Sequence, residues 1–204
     1  MTGGRAALHR FALALALLAP LPALAGAQIY EPLADAVRTA LSAAVSDRAP
    51  PTLNFRHKAD GTRWLLEMSR RLASRIPDVD VRLRLLKSVQ YEATRAGLDP
   101  QLVLGVIDVE SKFRKYAVSS AGARGYMQVM PFWVKLIGRK RDNLFHLRTN
   151  LRYGCVILRH YLDIEKGNYF RALGRYNGTL GQAAYPDKVL KAWRGRWSYD
   201  GPTD

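Results

Sequence analysis

Apolar residues return every three or four positions along most of this 204-residue chain, the spacing of one helix face, and no convincing strand run interrupts them. Ile29, Leu33, Val37, Leu41 and Val45 predict an amphipathic helix over 29–46, broken by Pro50-Pro51. Trp64, Leu65, Met68, Leu72 and Ile76 form the next stripe, ended by Pro77. Val81, Leu85, Val89 and Ala93 continue in a further helix that Gly97 is placed to stop. Asp99-Pro100 then opens a helix through Leu102, Val103, Val106, Ile107 and Glu110, with Asp as cap and Pro at the first helical position. Beyond a glycine-rich turn, Pro131–Ile137 reads as a short helix and Asn143–Thr149 as a turn. Leu151–Glu165 is a long striped helix, Tyr169–Tyr176 and Gln182–Trp193 are the last two, and 196–204 is a loose tail. The fold class is all-α. A boundary near residue 85 separates a helical N-terminal segment, 28–84, from a compact domain, 85–195.

The first residues change this picture. Arg5, His9 and Arg10 precede the apolar run Phe11–Ala19, and Ala23-Leu24-Ala25 or Ala25-Gly26-Ala27 offers a small-residue cleavage site. Residues 1–27 therefore predict a secretory signal peptide, too short in its apolar run to span a bilayer, and an exported protein of the periplasm or cell-wall space. After cleavage no integral membrane segment is expected. The net charge is +15, and removal of residues 1–27, with two Arg and no acid, leaves +13. Such a surplus suits anionic surroundings without choosing among nucleic acid, lipid surface and wall polymer. For nucleic acid no recognition-helix logic accompanies the charge. The only cysteine, Cys155, lies in an apolar pattern and predicts a small buried hydrophobe. The four His are scattered, so neither a metal nor a cofactor is expected.

The candidate chemistry lies in one stretch, Glu110 to Pro131: ESKFRKYAVSSAGARGYMQVMP. A single carboxylate ends an apolar helix, and desolvation by such neighbours raises a carboxyl pKa from about 4.3. A glutamate raised in this way is a competent general acid for a glycosidic oxygen, as lysozyme illustrates. Asp108 is two residues away and faces elsewhere on the helix. Gly122 and Gly125 bracket a turn that lets the backbone take positive φ. Ser119 could hydrogen-bond the carboxyl or a substrate group, Gln128 could donate its amide to a sugar, and Met127, Val129 and Met130 could floor a cleft. Taken singly these are ordinary core and turn residues. Their combination in one string is the signal.

That string closely resembles the signature of the family 1 (soluble lytic transglycosylase type, SLT domain) peptidoglycan lytic transglycosylases. Two more blocks follow in the family's order: Asp142-Asn143-Leu144-Phe145 to Asn150-Leu151 and Gly154, then Arg175-Tyr176-Asn177-Gly178 with Tyr185-Pro186 and Val189-Leu190. The resemblance covers about residues 95–193. It implies a lysozyme-like helical domain, similar to goose-type lysozyme, behind a helical N-terminal extension. It also implies that Glu110 is the sole acid/base, that Ser119 and Tyr176 orient its carboxyl, and that Asn177 supports the tyrosine. Met127, Gln128 and Met130 would line the cleft, with Tyr185 at its edge. Two departures stand out: Arg175-Tyr176-Asn177-Gly178-Thr179 replaces the usual A-Y-N-A-G, and Tyr126 replaces a leucine. The implied partners are peptidoglycan glycan strands, with a secretion or conjugation apparatus as a further setting. The rival expectations are a hydrolysing muramidase, which would need a second carboxylate such as Asp142, Asp163 or Glu165, and a non-enzymatic basic wall-binding protein.

Overall fold

The structure, a computed structural model, describes residues 28–46 and 48–201. The signal-peptide reading of residues 1–27, Asp47 and the end of the tail lie outside them. Eight helices occur among the described residues: α1 (Asp35–Ser46), α2 (Lys58–Leu72), α3 (Val79–Arg95), α4 (Pro100–Glu110), α5 (Phe132–Ile137), α6 (Leu147–Ile164), α7 (Tyr169–Asn177) and α8 (Ala184–Arg194). The chain is all-α, as the periodicity predicts.

Local chemistry sets most helix ends. Asp78 accepts the Val81 amide at 3.0 Å and starts α3. Asp99 accepts the Gln101 amide at 2.7 Å and starts α4 with Pro100. Asn168 does the same for α7 through the Arg171 amide. Gly178 takes φ 73 behind α7, which defines the turn that the departure from A-Y-N-A-G left open.

Some boundaries differ from the sequence reading. Residues 29–34 are not helical, and α1 begins at Asp35. Pro32 lacks an amide hydrogen and pushes Glu31 away from helical geometry, while Ile29 and Tyr30 stay exposed. Helix α2 stops at Leu72, yet Ile76 still reaches the core from the following turn. Helix α6 starts at Leu147, inside the expected turn, because Asn143 accepts the Phe145 amide at 2.8 Å and closes that turn early.

The core is organised around α4 and α6. Leu102 to Ile107 are buried, so α4 is apolar all round and central rather than amphipathic. It packs against α3 and, most extensively, α8; α6 packs against α1, α3 and α7. At the α4–α8 crossing a Cβ on Gly105 would lie 3.2 Å from the Trp193 nitrogen. Helices α1 and α2 pack on α5, α6 and α3. A buried carboxylate, Glu92, sits among Arg95, Arg148 and Arg152 at 3.2–3.3 Å and ties α3 to α6. A buried charge of this kind is tolerated only when paired. No helix among the described residues is long and apolar enough to cross a membrane.

Candidate active site

Glu110 is the last residue of α4 and only 6% exposed. The chain turns sharply behind it, with Lys112 at φ 51 and Phe113 at φ 63. Left-handed geometry at two successive non-glycine residues is strained. Buried Phe113, packed against Trp197 with ring centroids 5.3 Å apart and planes tilted by 57°, holds it in place. Asp108 faces away, as expected, and accepts from Arg75 at 2.5 Å and from the Trp197 indole at 3.0 Å. The end of α4 is thus clamped from two sides.

The two carboxyl oxygens of Glu110 differ. Oε1 accepts the Tyr185 hydroxyl at 2.6 Å. Oε2 is buried with no hydrogen-bond partner among the described residues. Burial raises the Glu110 pKa to about 8, against a smaller opposing pull from the Tyr185 bond. No second charged carboxyl contributes to that shift. Asp142 is held by Arg48 and the Tyr153 hydroxyl, Asp163 by Arg159, and Glu165 by Arg171 and Arg175.

The glycine-rich turn is pinned from α6. Antiparallel bridges pair Val118 with Arg124 and Arg124 with Val129. Asn150 accepts the Met127 amide at 2.8 Å and donates to the Arg124 and Leu144 carbonyls at 2.8 and 2.9 Å. Gly125, at φ 77, has no room for a Cβ: Asn150 Nδ2 would lie 2.5 Å away. Gln128 takes φ 48 and donates its side-chain amide to the Ala117 and Gly125 carbonyls at 3.1 and 2.9 Å. Both donors therefore serve the turn, where the sequence suggested donation to a sugar. Met127 is buried and Met130 half-buried. Tyr126, the second departure, is buried as well.

The structure reassigns the hydroxyl that holds the acid. Ser119, half-buried, accepts the Ala123 amide at 3.1 Å and closes the turn. Tyr176 is fully buried and donates to the Met127 carbonyl at 2.8 Å. Charge on Glu110 helps to raise the Tyr176 pKa, so the two groups are neighbours without being bonded. The bond to the carboxyl belongs to Tyr185, in the first turn of α8 and 5% exposed rather than at a cleft edge. Asn177 is buried and donates to the Thr179 hydroxyl at 3.2 Å. Glu110, Met127, Gln128, Tyr176 and Tyr185 thus meet around one buried carboxyl, while Ser119 and Asn177 shape the flanking turns.

Three contributors were missed by the sequence reading. Asn150 had a signal: an amide among apolar positions of a helix is there for its hydrogen bonds. Asp108 reads in the sequence only as facing elsewhere, and its clamp depends on Arg75 and Trp197, both distant in sequence. Gln28 had none, since only tertiary packing puts it beside Tyr176, where its Oε1 accepts the Met130 amide at 3.2 Å. Among the described residues no cluster of three or more His, Cys, Asp or Glu could hold a metal ion.

The chain is similar to known proteins over parts of its length. A transglycosylase of Enterobacteria phage PRD1 is 34% identical over 116 residues, 53% of this chain and 43% of that protein. The membrane-bound lytic murein transglycosylase C of Actinobacillus pleuropneumoniae is 50% identical over 54 residues, 26% of this chain and 15% of that protein. The chain thus spans less than half the length of these relatives. An inactive mutant of the lytic transglycosylase Slt from Pseudomonas aeruginosa superposes with a TM-score of 0.42 at 22% identity, covering 70% of this chain and 26% of that one. The profile of the transglycosylase SLT domain matches residues 87–189, half of the chain, and takes in Glu110, the glycine-rich turn, Tyr176 and Tyr185; the chain belongs to that family.

Proposed function

We propose that the chain is a peptidoglycan lytic transglycosylase acting in the cell-wall space, with Glu110 as its single acid and base. One observation carries this reading: a buried carboxyl, protonated at neutral pH, with one oxygen bonded to Tyr185 and the other unsatisfied. A group with a pKa near 8 keeps its proton until a glycosidic oxygen reaches it. The name of one relative, a lytic murein transglycosylase, supports the same substrate class.

The reaction follows from having one acid. Glu110 protonates the oxygen linking N-acetylmuramic acid to N-acetylglucosamine. The substrate's own acetamido carbonyl stabilises the cationic centre, in place of a second carboxylate. Glu110, now charged, takes the proton of the muramyl 6-hydroxyl, and that oxygen closes a 1,6-anhydro ring. No water is consumed, and the tethered nucleophile brings its proximity advantage. The Tyr185 hydroxyl stabilises the carboxylate during its charged interval. Asp142, Asp163 and Glu165 are each committed to a cation elsewhere, which supports a single acid over a pair.

Digestion of purified peptidoglycan, with mass analysis of the fragments, tests this. The wild type is expected to release anhydromuramyl ends. Glu110→Gln is expected to lose at least the 10²–10⁴-fold, roughly, that general acid–base catalysis supplies. Reducing ends in place of anhydro ends would establish a hydrolase instead, and undiminished cleavage by the variant would remove Glu110 from the mechanism. No cleavage by either would leave a wall-binding protein.

A further inference from the structure

A groove of about 640 Å³ opens between α5 and the connection that follows it, lined by Arg124, Pro131, Lys135, Lys140 and Arg141 among others. All four cations are exposed, and none forms an ion pair among the described residues. The acid at this groove, Asp142, does not neutralise them: its oxygens are taken by Arg48, by the Tyr153 hydroxyl at 2.7 Å and by the Arg139 amide at 3.2 Å. The Arg124 guanidinium rests 5.9 Å from the Phe145 ring centroid, which steadies it without cancelling its charge. The groove also shares a wall with the candidate active site. The Arg124 backbone pairs with Val129, and Pro131 directly follows Met130. The hollow and the candidate site are thus built on the same glycine-rich turn. Its concave form, with apolar Val134 and Leu144 beside the cations, suits a short chain entering it better than a flat lipid surface.

We propose that this groove binds the carboxylates of peptide stems carried by the glycan strand being cleaved. This deepens the proposed function and rests on peptidoglycan being the substrate. Unpaired cations around a concavity concentrate anionic groups, and a carboxylate-bearing stem supplies several. Cleavage of the glycan itself does not require the contact, so the groove distinguishes stem-bearing strands from bare ones.

The test separates this from the cleavage reaction. The full chain is titrated with a soluble stem tripeptide and with the same peptide carrying amidated carboxyls, followed by backbone amide shifts. The wild type is expected to bind the free carboxylates at least tenfold tighter. The variant Lys135→Ala/Lys140→Ala/Arg141→Ala is expected to lose that preference, and the charge-keeping Lys135→Arg/Lys140→Arg/Arg141→Lys to retain it. In cleavage assays the alanine variant is expected to show a raised KM on stem-bearing strands only. Equal binding of both peptides by the wild type overturns the proposal, whatever becomes of the variants. So does unchanged binding by the alanine variant, or capture of phosphatidylglycerol vesicles without stem binding. If stems bind as expected but no anhydro ends form on wall digestion, the proposed reaction fails and the groove assignment stands.

Discussion

The Glu110 carboxyl is held against its own preference. In the unfolded chain it titrates near 4.5, and in the fold near 8. Below about 4.5 it is protonated in both states and neutral to stability. Between these values the unfolded chain gives up the proton while the fold retains it, so stability falls as pH rises, levelling above about 8. Glu110→Gln removes the titration while keeping an oxygen for Tyr185. It is therefore expected to be more stable than wild type by a margin that grows from pH 4.5 to 8, on the order of a few kcal/mol at the top. Thermal melts across that range check it, and a margin independent of pH would refute it. Tyr185→Phe removes the one bond that favours the charged carboxyl. It should cut turnover roughly 10- to 100-fold, since one hydrogen bond to a charged group is worth about 1.5–3 kcal/mol. It should also move the alkaline decline of kcat/KM upward from near 8, a shift that loss of foldedness alone would not produce. Glu110 was legible in the sequence because it closes an apolar helix directly ahead of the glycine-rich stretch, with Asp108 on another face. The Tyr185 bond was not, because it depends on how α8 registers against α4, which no local pattern encodes.

At the scale of elements, helix periodicity and caps were readable because they are local. The Asp99-Pro100 start of α4 is written in two adjacent residues. The false start at residue 29 arose because a stripe of apolar residues outvoted Pro32. The glycine-rich turn was recognisable as a turn, yet its anchor on α6 was not. Asn150 supplies that anchor through three hydrogen bonds. Asn150→Ala leaves the Met127 amide and the Leu144 carbonyl without this partner, while the Arg124 carbonyl keeps the Val129 amide, a loss of about 2 kcal/mol if each orphan costs on the order of 1 kcal/mol. Denaturant unfolding should show a lowered midpoint, with activity falling alongside as Met127 and Gln128 shift. A midpoint equal to wild type would mean that the bridges hold the turn unaided. Close packing adds a second restraint here, since a Cβ on Gly154 would meet the Met127 sulfur at 2.4 Å.

At the scale of the whole molecule, the charge is the dominant feature. The chain carries +15, and the basic groove shows that part of the surplus is gathered rather than scattered. Exposed charges are screened within about 8 Å at physiological ionic strength. Retention on insoluble peptidoglycan should therefore weaken steadily along a salt series. Cleavage of a short glycan without charged stems should respond less, because the groups around Glu110 are polar and apolar. Flat retention from low to high salt would leave the basic surplus without a role in wall attachment.

The close crossing at Gly105 has a consequence for acidity. Glu110 lies five residues along α4, about 7.5 Å of helix rise away, and its bonding partner rides on α8. Gly105→Ala requires Trp193 to yield by a few tenths of an ångström, which pries the two helices apart without touching the acid. Separation admits water, and burial is the larger of the two influences on Glu110, so its pKa should drop. Loss of the Tyr185 bond alone pushes it the opposite way. The pH at which activity declines is therefore a ruler for helix spacing: an upward shift reports a lost bond, and a downward shift reports a widened seam.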